Sequence, residues 1–340
     1  MGREPGVVRL ARAGELADRI DRARVLAGAC RICPRACGVD RTAGERGYCG
    51  AGAGPTVYSH MAHPGEEPPV SGGRGSGTIF FSYCTMSCVY CQNYRFSQAH
   101  EGRDRSVGEL ADLMLGLAAR GCHNINLVSP THFLLPTLEA LANAAERGLD
   151  IPVIWNTSGY ESPETLSILD GVVDIYLADL RYSDPAAAAR YSDAPDYVDV
   201  AQRALVEMNR QVGVLETSEA GVATKGLIVR HLVLPGGRSG TPDALGFIAE
   251  RLGPETHVSL MAQYYPAYRA AEYAEIARGI SGDEWDDARA ALAEAGLTHG
   301  WVQAFRGGEV SPIAGTELRA DAPPEGGPSN DGPRGPGNPA

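Results

Sequence analysis

From Gly77 onward, short apolar runs alternate with stretches of helical periodicity. The pairs are Thr78–Tyr83 then Val107–Arg120, Ile125–Ser129 then Phe133–Arg147, and Val153–Asn156 then Pro163–Asp170. They continue as Val173–Leu180 then Tyr197–Gln211, Leu227–Leu234 then Pro242–Leu252, and Val258–Tyr264 then Asp283–Ala295. Apolar strands alternating with helices of this length predict βαβ units and a parallel sheet. Six units are too few for a closed eight-stranded barrel. The predicted class is therefore α/β, a partial (β/α)6 barrel, with a short extra strand at Trp301–Phe305. Ahead of it, Leu10–Leu26 reads as one amphipathic helix, Met1–Val7 as loose, and Gly50–Gly77 as a Gly/Pro-rich loop. Pro323–Ala340 has almost no apolar side chains and reads as a disordered tail. The chain thus divides into 1–76 (helix, cysteine-rich segment and loop), 77–306 (barrel) and 307–340 (C-terminal extension, disordered from about 323).

Composition narrows the class. The 340 residues are 44% hydrophobic and 21% charged, enough to build a full core. Thirty basic against 42 acidic side chains give a net charge of −12, which argues against a nucleic-acid binder held by a basic face. No apolar run reaches the roughly 18 residues of a membrane span. Met1–Arg24 has no apolar signal-peptide core. The expected location is the reducing cytoplasm, where eight cysteines read as metal or redox ligands rather than a disulfide framework.

Their spacing carries the chemistry. Cys84-Thr-Met-Ser-Cys88-Val-Tyr-Cys91 is C-x3-C-x2-C directly after a strand. Four thiolates ordinarily hold a [4Fe–4S] cluster, so three leave one iron open. An open coordination position distinguishes a reacting metal centre from a closed structural one. The position after a strand places the triplet where α/β barrels assemble active sites. A structural zinc loop is the bland alternative. Cys30-x2-Cys33-x3-Cys37-x11-Cys49 offers four more thiolates within twenty residues, with Pro34, Gly38, Gly44 and Gly47 to turn the chain. That set suits tetrahedral zinc or a second iron–sulfur cluster, and spacing does not separate them. Cys122 reads as a small buried apolar residue.

The triplet, with Tyr90 before its last cysteine, resembles the signature of the radical S-adenosylmethionine (SAM) enzymes. CRICPRACGVDR, GERGYCG, GEEPPVSGGRGSGTIFF, CVYCQNYRFSQ, NINLVSPTH, WNTSGY, DIYLADLRY, IVRHLVLPG and SLMAQYYP, in that order, are similar to the branch of pyruvate formate-lyase activating enzyme homologues. The resemblance implies that SAM chelates the open iron. A reduced cluster then cleaves it to methionine and a 5′-deoxyadenosyl radical, which abstracts hydrogen from a substrate.

It also implies a SAM pocket built at strand ends. Tyr90 would offer the adenine a stacking face. Where many relatives carry Gly-Gly-Glu, this chain has Ser129-Pro130-Thr131-His132, so Thr131 or His132 must make a different contact. Asn156-Thr157-Ser158-Gly159 resembles Asp-Thr-Asn-Gly of the activating enzyme, keeping a carbonyl oxygen but not the charge for a monovalent cation. Asp179-Leu180-Arg181 resembles Asp-Leu-Lys and pairs a carboxylate with the SAM ammonium and a guanidinium with its carboxylate. Arg230 resembles a SAM-contacting arginine. Strand alternation keeps His231 from sharing its face. Gln263 and Tyr264 would reach the adenosine.

The leading expectation is a radical SAM enzyme served by an electron donor such as flavodoxin or ferredoxin. Its substrate would be a glycyl residue of a partner enzyme, or a small molecule or peptide. The loop bearing Glu66 and Glu67 could shape either surface. The expectation of another class is an iron–sulfur electron carrier or redox sensor, which leaves a three-cysteine site and polar strand ends unexplained.

Overall fold

The computed structural model describes residues 3–305 and 316–318. Its strands are β1 (Thr56–His63), β2 (Ser76–Phe81), β3 (Arg103–Asp104), β4 (Ile125–Val128), β5 (Val153–Thr157), β6 (Ile175–Asp179), β7 (Glu216–Thr217), β8 (Ala223–Leu232), β9 (His257–Met261), β10 (Gly300–Val302) and β11 (Thr316–Leu318). The α-helices are α1 (Gly6–Ala13), α2 (Leu16–Gly28), α3 (Pro68–Ser71), α4 (Tyr94–Ser97), α5 (Val107–Ala119), α6 (Leu134–Glu146), α7 (Pro163–Leu169), α8 (Pro185–Ser192), α9 (Tyr197–Val212), α10 (Thr241–Phe247) and α11 (Gly282–Glu294). The sheet runs β11-β10-β9-β8-β6-β5-β4-β2-β1-β3, with β7 hairpinned onto β8.

From β2 through β10 this order follows the chain without reversal, and every pair is parallel. Right-handed crossovers that never reverse put their helices on one face of the sheet. On the other face the short helix α3 packs Val70 against Ile154, Leu177 and Ile228. The result is an α/β fold with a mostly parallel sheet, as the alternation predicts, and the short extra strand is β10.

Local chemistry explains the boundaries. Residues of β4 and β5 are buried throughout, as the continuous apolar runs require. α5 and α11 open on capping boxes, Ser106 with Glu109 and Ser281 with Glu284. α7 opens on Ser162 followed by Pro163.

Three expectations are corrected. The helix expected over Leu10–Leu26 is two, because Gly14 in the left-handed region (φ 73°) ends α1 and takes the Ala11 carbonyl. Of the stretch expected to be loose, Gly6 and Val7 are held: Gly6 N donates to Asp174 Oδ1 at 2.8 Å and Val7 is fully buried, while Met1 and Gly2 lie outside the described residues. Within Gly50–Gly77, read as loop, β1 pairs antiparallel with β2 and supplies the sheet's flank. α8 lies in a stretch to which no element was assigned. Cys122 is buried, as expected. The tail expected to be disordered from about 323 lies outside the described residues, and no helix among the described residues is long and apolar enough to cross a membrane.

Candidate active site

The cysteine triplet begins where β2 ends. Tyr83, in the left-handed region (φ 70°), turns the chain there, and Ser129 (φ 54°) does the same after β4. Such strain, of order 1 kcal/mol per residue, persists only where the surroundings impose it. The turned loop is pinned by Ser87 N to the Ser192 carbonyl (3.2 Å), Val89 N to the Tyr191 carbonyl (2.9 Å) and Gln98 Nε2 to the Met86 carbonyl (3.0 Å).

Donors converge on its sulfurs. Arg181 Nη1 (3.1 Å) and Ser192 Oγ (3.0 Å) donate to Cys88 Sγ, Met86 N lies 3.4 Å from Cys84 Sγ, and Ser97 Oγ bonds Cys91 Sγ at 3.2 Å. Burial pushes the Cys84 thiol up to about 12 and raises Cys91 as well. Among the described residues no three His, Cys, Asp or Glu side chains already stand as a metal-ready group. The donor set nonetheless fits a cluster: three thiols in one loop, each with a hydrogen-bond partner suited to a thiolate.

Beside the loop opens a cavity of about 370 Å³ at the strand ends. Of the residues expected from sequence, Tyr90, Cys91, Asn156, Asp179, Arg181, Arg230 and Gln263 line it. Tyr90 is edge-on to Tyr182 and Tyr264 and accepts a 2.6 Å hydrogen bond from Tyr182. Asp179 Oδ2 receives both Arg181 Nη2 (2.6 Å) and Nε (3.0 Å), so this pair neutralises itself while Arg181 also reaches Cys88. Gln263 accepts from Gln303 at 3.0 Å and, through its carbonyl, from Gln92 at 2.8 Å.

Thr131 and His132 do not line the cavity. After the Ser129 turn they enter a buried 3₁₀ turn, Thr131–Phe133. Thr131 Oγ1 donates to Glu161 Oε1 at 2.6 Å. His132 Nε2 donates to the Ser82 carbonyl at 2.7 Å, and burial pushes its pKa down to about 3. A neutral imidazole in that position braces the end of β2 from behind. His231 likewise points away from Arg230, donating through Nδ1 to the Leu180 carbonyl at 2.7 Å.

Glu66 and Glu67, expected in a loop that shapes a substrate surface, line this cavity as well. They come from the turn before α3 and reach across the sheet to Arg230. Glu67 takes Arg230 Nε on Oε1 (2.8 Å) and Nη2 on Oε2 (2.7 Å); Nη2 also bonds Glu66 Oε2. Asn126 Nδ2 on β4 donates to Glu66 Oε1 at 3.0 Å. Burial opposes ionised Glu67, but the charge and hydrogen bonds of Arg230 outweigh it and hold the carboxyl below its ordinary range. Their only sequence signal was the Glu-Glu-Pro-Pro run, charge placed at a rigid turn.

Cys30, Cys33, Cys37 and Cys49 form a second region. Arg41 is buried among them, with Nε 2.9 Å from Cys30 Sγ, Nη2 2.8 Å from Cys49 Sγ and Nη1 on the Ala51 carbonyl at 3.0 Å. Burial pushes the Cys33 thiol up to about 12. Gly47 lies so close that a Cβ there would sit 2.2 Å from Cys37 Sγ. Ser162 and Thr165 at the start of α7 both donate to the Ile32 carbonyl (2.8 and 2.6 Å). The region also touches the triplet loop: Arg35 Nε donates to the Thr85 carbonyl at 3.1 Å, and the Tyr48 hydroxyl bonds Ser87 Oγ at 2.8 Å.

A parallel sheet wound in one direction, with a cysteine triplet and a polar cavity at its strand ends, defines a class, and sequence comparison agrees with it. The pattern described as the Radical SAM superfamily matches residues 78–212, from β2 through α9. Uncharacterized protein MJ0674 of Methanocaldococcus jannaschii is 30% identical over 272 residues, covering 76% of this chain and 72% of that protein. The chain belongs to the radical SAM superfamily. Membership implies an enzyme with an iron–sulfur cluster and SAM, and the triplet and cavity suit both.

Proposed function

We propose that Cys84, Cys88 and Cys91 hold one [4Fe–4S] cluster and that the cavity binds SAM. The observation that carries this is one cavity lined both by Cys91 and by side chains at the ends of β4, β5, β6, β8 and β9. When bound, such a cluster supplies the electron that splits SAM to methionine and a 5′-deoxyadenosyl radical, which takes hydrogen from the substrate. The chain's own part is positional. Arg181 and Ser192 place N–H and O–H donors against Cys88; Tyr90 is braced between Tyr182 and Tyr264 to present its ring to the cavity; Asp179 holds Arg181 in place. The one-directional winding supports reading the sheet as a partial barrel around this cavity.

The quoted sequence blocks favour the activating-enzyme branch. The proposed substrate is a glycyl residue of a partner enzyme, with a small molecule or peptide as the alternative. A flavodoxin or ferredoxin would supply the electron in a reducing cytoplasm. Cys30, Cys33, Cys37 and Cys49 are proposed to hold a second centre, zinc or a cluster, which supports the triplet loop through Arg35 and Tyr48. Anaerobic reconstitution with iron and sulfide, followed by SAM and dithionite, tests the reading. 5′-Deoxyadenosine above that of a Cys84/Cys88/Cys91→Ala variant supports it; an intact cluster that never yields 5′-deoxyadenosine supports an electron carrier or sensor instead.

A further inference from the structure

The cavity holds more acid than base. Glu66, Glu67 and Asp179 face Arg181 and Arg230, three carboxylates against two guanidiniums. Asp179 and Arg181 satisfy each other, so the unbalanced negative charge lies with Glu66, Glu67 and Arg230. That corner is also rich in acceptors, because Asn126 Oδ1 is buried beside it with no donor. A corner of this kind is completed by a group that donates hydrogen bonds.

The two glutamates are not equivalent. Glu67 has both oxygens on the Arg230 fork, and its side chain is 2% exposed. Glu66 meets Arg230 with one oxygen only, takes Asn126 on the other, and is 9% exposed. Each Glu66 oxygen keeps a free lone pair. The glutamate is also held in place: its backbone N–H donates to Ser71 Oγ at 3.0 Å, and Glu67's carbonyl takes Val70 N at 2.8 Å as α3 begins.

Resting on the SAM reading above, we propose that Glu66 accepts an N–H of the SAM α-amino group, which reaches the iron as the neutral amine, with Arg230 positioning the two glutamates rather than binding SAM itself. The strand-end segment Ser129–His132 has no carboxylate for this purpose, and Thr131 and His132 are committed elsewhere. Glu66 therefore brings in, from a loop 164 residues before Arg230, the charge that this strand end lacks.

The test is a cycle of protein variant against ligand, by calorimetry on cluster-reconstituted, unreduced protein. The probes are SAM and its analogue with hydrogen in place of the α-amino group. Glu66→Gln should weaken SAM about 10- to 100-fold, the range of one charge-assisted hydrogen bond, and the analogue by no more than about twofold. Asn126→Ala, which frees Glu66 Oε1 without removing the charge, should shift SAM in the same direction by about threefold, and it decides the matter if Glu66→Gln does not fold. Equal weakening of both probes, or of neither, overturns the assignment while leaving the SAM pocket standing. Wild-type protein that binds neither probe overturns the SAM reading and this assignment together.

Discussion

The two cysteine regions use the same element in opposite ways. In the triplet loop, donors approach the sulfurs from outside and one cysteine, Cys91, opens onto the cavity. In the N-terminal region a buried guanidinium bridges Cys30 and Cys49, and the Ile32 carbonyl is docked to the start of α7. The first arrangement leaves open space beside its sulfurs; the second ties two of its sulfurs to a buried cation. Cysteine count alone does not distinguish the two regions; what surrounds the sulfurs does.

The sharpest test of this contrast is Cys88→Ala. It should reduce 5′-deoxyadenosine formation to background, a loss of about a thousandfold or more, with the fold retained, since two thiolates do not hold the cluster. Full activity in that variant would break the assignment. Metal analysis of the Cys84/Cys88/Cys91→Ala variant addresses the other side. About one zinc, or about four irons with matching sulfide, should remain at the N-terminal cysteines. Neither, in folded protein, contradicts a second centre there.

Smaller effects follow the packing. Arg41→Ala removes a buried cation from two sulfurs and the Ala51 carbonyl, and should lower unfolding free energy by about 3 kcal/mol in urea titrations. His132 packs behind β2, with its folded pKa near 3 against 6.5 unfolded. The unfolded chain takes up the proton first, so stability is fully present above about pH 6.5 and falls on acidification. The loss is about 1.4 kcal/mol per pH unit between about 6 and 4. His132→Gln should flatten that slope; an unchanged slope would mean that His132 is not held neutral. Tyr48→Phe keeps the ring under Arg35 (3.8 Å) but loses the hydroxyl's bonds to Ser87 and Asp193. About 1 kcal/mol of destabilisation is expected, with slightly faster iron loss from the triplet.

Much of this was legible in sequence where the signal is local. Continuous apolar runs marked the parallel strands because burial on both faces leaves no alternation to read. Cysteine spacing grouped the thiols that the fold keeps together, the triplet in one loop and Cys30 and Cys49 around Arg41, because neighbours in sequence are neighbours in a tight loop. What escaped depended on distance or on one torsion angle. β1 was hidden by its glycine- and proline-rich flanks, and its pairing with β2 and β3 makes it a strand. Glu66 and Glu67 join the cavity through partners more than 160 residues away. Thr131 and His132 stood at the expected strand end, but the positive φ of Ser129 turned them into the core.

The central claim is that the triplet leaves one iron accessible to SAM inside the cavity. Electron nuclear double resonance of the reduced, reconstituted protein with SAM carrying ¹⁵N at its amino group and ¹⁷O at its carboxylate tests it most directly. Hyperfine coupling from both labels to the cluster, lost in Cys84/Cys88/Cys91→Ala and kept when Cys30, Cys33, Cys37 and Cys49 are replaced, is the predicted result. A reduced cluster that retains its iron, binds SAM, and shows coupling to neither label would contradict it.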